Sequence, residues 1–275
     1  MRFNFMTILL VISGIFLSGS VQSQIVMENT PELQKIDVIE HYGDQIPLSL
    51  RFTNSVGEPV QLKSLFHTGR PVLLTLAYYE CPMLCTFVLN GLSKGIGEVA
   101  FSPGKDYQIV TISIDPDETA RLAAAKKKNQ LAATGKIFDN SGWEFLIGDQ
   151  KSITELADAL GFKYYYDKDR DEYAHAAVSF VLTDQGIISR YLYGIEYKEH
   201  DLRFALMEAS EGNIGNTLDK ILLFCYHYDP DAKGYVVFAG NVMRIGGVIT
   251  MLILGSFLFI FWRKEFKQKV KIKIT

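Results

Sequence analysis

The sequence predicts an α/β sandwich with a mixed central sheet, followed by one C-terminal transmembrane helix. Three observations predict this. Apolar runs of strand length alternate with stretches of helical periodicity between residues 61 and 211. Two strand-like runs flank the turn Asp184–Gln185–Gly186, and an uncharged run of eighteen residues, Ile245 to Trp262, lies near the C-terminus. Alternating strand and helix imply crossovers and a partly parallel sheet, whereas a tight turn implies an antiparallel pair.

Residues 1–23 carry Arg2, an apolar run from Met6 to Leu17, and then small and polar residues with Val21 and Ser23 at the −3 and −1 positions of a cut. That layout is a secretory signal peptide. Residues 24–60 form an N-terminal extension in which RFTNSVGEPVQL reads as two short strands around the Gly57–Pro59 turn. The main domain follows over 61–211. Pro71–Tyr79 (PVLLTLAYY) is continuously apolar, as a strand buried on both faces must be. It runs into a helix whose stripe is Cys85, Leu89, Leu92, Ile96 and Val99. Tyr107–Ile114 is the next strand and Asp117–Thr134 the next helix.

Trp143–Ile147 is a short strand. Ser152 and Glu155 make a capping box for a helix with Ile153, Leu156, Ala157 and Leu160 on its apolar face. Ala176–Thr183 and Ile187–Tyr193 form the hairpin, and Lys198–Ser210 closes the domain as a helix. A thioredoxin-like arrangement fits this order. Residues 212–244 are a juxtamembrane extension. At ~1.5 Å rise per residue, 245–262 nearly cross a hydrocarbon core of ~30 Å. Trp262 sits where an interfacial aromatic belongs, and the basic tail 263–275 belongs on the cytoplasmic side. The expected topology is an exported, periplasmic or extracytoplasmic domain held to the inner (cell) membrane by its C-terminal helix.

Composition narrows the function. The 275 residues are 48% hydrophobic, which excludes disordered and collagen-like classes. With 28 basic and 31 acidic residues the net charge is −3, so nothing suggests a nucleic-acid partner. Taking the tail (+5) and Arg2 (+1) out of that total leaves about −9 for residues 24–262, an acidic face open to a basic partner. Three cysteines, Cys81, Cys85 and Cys225, are too few for a disulfide-built scaffold.

Cys81 and Cys85 form a C-x3-C pair where a strand meets a helix, with Cys81 at the N-cap and Pro82 at the first helical position. Unpaired N–H groups and the helix dipole favour thiolate there. Side chains at i and i+4 have Cβ atoms about 5–6 Å apart, whereas a disulfide wants about 3.5–4.5 Å. The spacer tilts the pair from dithiol redox towards a shared metal ion, and both uses stay open. Two cysteines cannot hold an ordinary iron–sulfur cluster, and a closed zinc site needs four protein ligands. Two thiolates with one imidazole suit Cu(I), and Cu(II) when a further ligand joins. Among His41, His67, His175, His200 and His227, the imidazole expected at the site is His175, in Arg170–Ala177 at the entry to the hairpin strand, which in a thioredoxin-like sheet faces the cysteine loop. Cys225 and His227 form a C-x-H pair that is a candidate accessory metal site, or an amphipathic segment packed on the domain or membrane. Tyr78–Tyr79 and Tyr164–Tyr166 read as core or surface aromatic packing, ahead of a shield beside the site or a docking patch.

The runs GRPVLLTLAYYECPMLCTFVLNGL, SIDPDET and DEYAHAAVSFVLTDQG resemble, in order and spacing from Leu48 to Leu206, the Sco/SenC family of copper-binding, cytochrome-oxidase assembly proteins. The resemblance implies a thioredoxin-like fold and copper ligands at Cys81, Cys85 and His175. The DP-containing loop falls on Asp115–Pro116, with Asp117 and Thr119 expected to cap the next helix. Tyr173–Ala174–His175–Ala176 lacks the proline that thioredoxins carry before the strand facing their active site. The anchor is C-terminal rather than N-terminal, and the extension Gly212–Gly240 resembles a segment of a bacterial subgroup. The implied function is a membrane-anchored copper metallochaperone serving the oxidase subunit that carries the CuA centre, kept reduced by a thiol reductant protein. The alternatives are a thiol–disulfide reductase of that subunit's cysteines, with Cys81 and Cys85 as the redox pair, and a copper or redox sensor.

Overall fold

The structure, a computed structural model, describes residues 36–81, 84–211, 226–229, 234–237 and 239–272. The chain divides into residues 1–34, which carry the expected signal peptide and lie outside the described residues, and one unit of residues 35–275.

Seven strands make the central sheet: β1 (Arg51–Asn54), β2 (Pro59–Gln61), β3 (Val72–Ala77), β4 (Gln108–Ser113), β5 (Trp143–Ile147), β8 (Val178–Leu182) and β9 (Ile188–Tyr193). Their spatial order is β2-β1-β5-β4-β3-β8-β9. β3, β4 and β5 run parallel, joined by α1 (Leu84–Glu98) and α2 (Ala120–Ala133), while β8 lies antiparallel to β3 and β9 antiparallel to β8. β1 and β2 extend the sheet from β5 as an antiparallel pair. Every residue of β3 and β4 is buried, the two-sided burial that their unbroken apolar runs demand. Thr75 and Ser179 are buried where β3 meets β8; their hydroxyls pair at 2.9 Å, and the Ser179 hydroxyl also pairs with the Tyr197 phenol at 2.8 Å.

Helix α3 (Gln150–Ala159) corrects one expectation. Its N-cap is Asp149, whose carboxylate accepts the Ser152 N–H at 2.8 Å, so Ser152 is inside the helix rather than capping it. Asp is as good a cap as Ser, and here it precedes Ser by three residues. The apolar face of Ile153, Leu156 and Ala157 is buried as expected. Thr119 caps α2, its hydroxyl facing the Leu122 N–H at 3.4 Å. Helix α4 (Glu199–Ala209) packs on β9 and α1. At Gly91 the contact between α1 and the loop before α4 is so close that a Cβ would sit 1.9 Å from the Ile195 carbonyl oxygen.

Two short ribbons lie outside the main sheet. β6 (Tyr164–Asp167) and β7 (Glu172–His175) pair antiparallel, with Tyr164 opposite His175. β10 (Tyr226–Asp229) and β11 (Gly234–Val237) form the second. Tyr235 of β11 is buried against the Phe204 ring, its N–H donating to Asp201 at 2.8 Å and its hydroxyl to Glu208 at 2.5 Å. Helix α5 (Ala239–Ile272) contains Met243–Arg263, a stretch of 21 residues with mean hydropathy 2.2 and none of it buried, long and apolar enough to cross a membrane.

Candidate metal centre

The site begins where β3 ends. The strand runs out at Ala77, and Tyr78, Tyr79 and Glu80 carry the chain to Cys81, just ahead of α1. Pro82 lies outside the described residues, and Cys85 is the second residue of α1. Cys81 is 7% exposed. Its carbonyl accepts the Thr86 hydroxyl at 3.0 Å, tying the loop to the first turn of the helix.

The loop is fastened more tightly on its other side. The Tyr79 hydroxyl reaches through the core to donate to the carbonyls of Leu146 (2.6 Å) and Thr111 (3.1 Å). The Tyr79 carbonyl accepts from Lys126 Nζ at 3.1 Å. Glu118, buried in the connection between β4 and α2, accepts the N–H groups of Tyr79 at 2.5 Å and Glu80 at 2.9 Å, and the Ser113 hydroxyl at 2.5 Å. Burial pushes its carboxyl up, while these hydrogen bonds pull the other way. Sequence reading missed Glu118. It stands one residue before the cap of α2 among Asp115, Asp117 and Thr119, and such a cluster reads as helix-start chemistry.

His175 is the last residue of β7 and leads into the hairpin, whose first strand β8 begins at Val178. The intervening Ala176–Ala177 separates ribbon from sheet. The imidazole is 4% exposed. Its Nδ1 lies 2.9 Å from the Ala176 carbonyl oxygen, which can only accept. Nδ1 therefore carries the hydrogen and the ring's lone pair resides on Nε2, the arrangement that metal-binding histidines use. Burial holds its pKa below the ordinary value, opposed by the Ala176 hydrogen bond and by the nearby Cys81 charge. A neutral imidazole beside a cysteine follows. Phe162 and Tyr78 wall the ring, with centroids at 5.7 and 6.3 Å, and Tyr173 stacks edge-on to Tyr78 at 5.6 Å. Tyr78 thus belongs to the packing around the histidine, Tyr164 stands opposite it in the ribbon and meets Phe162, Tyr166 is exposed, and Tyr79 is a core strut.

Beside this wall a cavity of about 640 Å³ opens between Tyr78, Glu80, Asp115, Asp117, Asp171 and Tyr173. Burial first, and then the charge of Asp115, pushes the Tyr173 phenol up to about 12.

The other histidines lie elsewhere. His41 Nδ1 is 3.1 Å from the Ala159 carbonyl, His200 pairs with Asp201 at 3.3 Å, and the His67 N–H donates to the Asp184 carbonyl. His227 stands opposite Val236 in the β10–β11 ribbon, and Cys225 lies outside the described residues. Among the described residues no three His, Cys, Asp or Glu side chains gather as a metal-binding group, and the described part of the expected site is the pair Cys81 and His175.

Comparison with known proteins agrees with this architecture. The SCO1/SenC family model matches residues 41–205. A candidate electron transfer protein from Aquifex aeolicus VF5 is 26% identical, with 63% of this chain and 96% of that one covered and a TM-score of 0.56. A SCO1/SenC family lipoprotein from Bacillus anthracis str. Ames is 19% identical over 61% of this chain and 96% of that one, with a TM-score of 0.52. ScoI of Arabidopsis thaliana with copper bound is 19% identical over 62% and 99%, with a TM-score of 0.49. No curated protein matches the chain.

Proposed function

The chain belongs to the SCO1/SenC family, and from that premise we propose that it is a copper metallochaperone. It receives copper at Cys81, Cys85 and His175 and passes it to the cytochrome c oxidase subunit carrying the CuA centre. The observation that carries the reading is a buried His175 near enough to the buried Cys81 to feel its charge, with its tautomer set by the Ala176 carbonyl. The donor set fits the ion. Thiolates are soft ligands that select Cu(I), and imidazole adds a donor acceptable to Cu(II). Burial keeps His175 neutral, so no proton has to leave it before it can ligate. In this reading a signal peptide exports the domain, the span within α5 holds it extracytoplasmically at the inner membrane, and the basic tail stays in the cytoplasm. A thiol reductant protein keeps the cysteines ready.

One placement also favours a second reading, a thiol–disulfide reductase acting on the client's cysteines. Cys81 just precedes α1 and Cys85 lies in its first turn, where the helix start favours thiolate. A single experiment separates the two. The full-length chain, reduced and in detergent, is titrated anaerobically with Cu(I) against a competing chelator, alongside His175→Ala. The metallochaperone binds one copper per chain, and the substitution weakens binding at least about tenfold, equivalent to about 1.4 kcal/mol. Weak binding by the unsubstituted chain, together with reduction of the client disulfide, establishes the reductase instead.

A further inference from the structure

We propose that Glu118 is a positioning residue for the copper site: its carboxylate clamps the backbone of Tyr79 and Glu80 so that Cys81 is presented to His175. The inference rests on the copper reading above. Glu118 is 8% exposed, and no lysine or arginine pairs with it among the described residues. A buried carboxylate without a counter-ion is costly unless hydrogen bonds satisfy it. Here the compensation comes from three donors: the Tyr79 N–H at 2.5 Å, the Glu80 N–H at 2.9 Å and the Ser113 hydroxyl at 2.5 Å. Two of the three belong to the residues immediately before Cys81.

Topology explains why a carboxylate is used. β3 and β4 are parallel neighbours, with Ala77 opposite Ser113, so their carboxyl ends open side by side. Past Ala77 the chain leaves the ladder, and the Tyr79 and Glu80 N–H groups take Glu118 as acceptor in place of a strand. Glu118 immediately precedes the cap Thr119, yet its side chain reaches the cysteine loop rather than the start of α2. Capping is done by Thr119, so a helix-start role leaves the Glu118 contacts unexplained. The Thr86 and Lys126 bonds hold only the carbonyl side of the same loop. Glu118 holds the N–H groups of Tyr79 and Glu80, the two residues that set the direction in which the chain reaches Cys81.

The test compares full-length wild type, Glu118→Gln, Glu118→Ala and Glu118→Asp. Cu(I) affinity is read by chelator competition, the thiolate-to-Cu(II) charge-transfer band by absorption, and folding by far-ultraviolet circular dichroism. Glutamine keeps the clamp. Its carbonyl accepts both N–H groups and its amide donates to Ser113, whose hydroxyl turns to the Asp115 carbonyl already 3.2 Å away. Glu118→Gln is expected within about twofold of wild type, with the same band. Glu118→Ala and Glu118→Asp, which lose the acceptor or its reach, are expected to bind about tenfold more weakly with a displaced band, as partners that orient metal ligands do. If the alanine variant does not fold, aspartate against glutamine decides: glutamine retained with aspartate weakened supports the clamp. Aspartate retained with glutamine lost overturns it, because charge is then what matters. Wild-type behaviour in the folded alanine variant overturns the inference alone, whereas a wild type that takes up no copper overturns the copper reading and this inference together.

Discussion

Replacing Phe162 by alanine removes one of the rings that wall His175. Phe162 is 2% exposed, with ring contacts to His175 at 5.7 Å, Tyr164 at 6.0 Å and Phe180 at 6.1 Å. Truncating a buried phenylalanine costs about 3–5 kcal/mol, and each lost aromatic pair contributes about 0.5–1.5 kcal/mol of that. Against a domain stability of about 5–15 kcal/mol the fold is weakened yet survives over most of that range. Phe162→Leu, which loses the same ring contacts but keeps most of the apolar volume, costs less than the alanine variant and serves as the milder one.

The functional effect runs through burial, the main cause holding His175 below 6.5. With Phe162 gone water reaches the ring and the pKa rises towards 6.5; with leucine it rises less. The sign for stability follows from linkage. A histidine whose folded pKa is depressed contributes stability that is fully present above the unfolded value of 6.5 and is lost as pH falls through the folded value. Phe162→Ala should flatten that acid-side slope. The assays are an NMR titration of the His175 ring in the metal-free full-length protein and denaturant unfolding between pH 4 and 8. A full stability loss with an unchanged or lowered His175 pKa would refute the reasoning, because burial would not then control the imidazole.

Two further substitutions separate folding from the site. Gly91→Ala places a Cβ 1.9 Å from the Ile195 carbonyl oxygen, so α1 and the loop before α4 must part; a loss of at least about 1–3 kcal/mol is expected, seen as a lowered midpoint in denaturant. Lys136→Met removes an ammonium that caps the end of α1 by donating to the carbonyls of Ile96 (3.3 Å), Val99 (2.5 Å) and Phe101 (2.7 Å). It should cost about 1–3 kcal/mol in unfolding while copper affinity stays within about twofold, and a parallel fall in affinity would refute the separation.

The parts legible in the sequence are those written as periodicity. PVLLTLAYY and YQIVTISI announce β3 and β4 because strands buried on both faces tolerate few polar residues. The stripe from Leu89 to Val99 announces α1 because one face meets the sheet. Cys81 and His175 stand out as scarce residue types at junctions. What stayed hidden has no period. The β6–β7 ribbon consists of two four-residue strands around a charged turn, YYYD and EYAH, too short for alternation to show. The sequence therefore shows His175 only as the entry to the hairpin, without the ribbon that carries it. Glu118 is one carboxylate among several near a helix start, and its role depends on a loop 38 residues earlier, which no local pattern encodes.

The two sides of the site are held by forces of different size, and this bears on how a carrier releases its cargo. Cys81 hangs on a loop bound through charge-assisted hydrogen bonds to a buried carboxylate, worth about 1.5–3 kcal/mol each. His175 sits on a two-stranded ribbon, a unit marginal by itself, and what holds it includes ring contacts of about 0.5–1.5 kcal/mol each and a bond to the Ala176 carbonyl. In stepwise ligand exchange, the side that costs less to displace opens first. Under the copper reading that side is the imidazole, and the thiolates are left holding Cu(I), which accepts a low coordination number. The same inequality implies that His175→Ala weakens Cu(II) more than Cu(I), since Cu(II) depends more on the nitrogen donor. Equal losses for the two oxidation states would place the imidazole and the thiolates on the same footing and remove the basis for an ordered release.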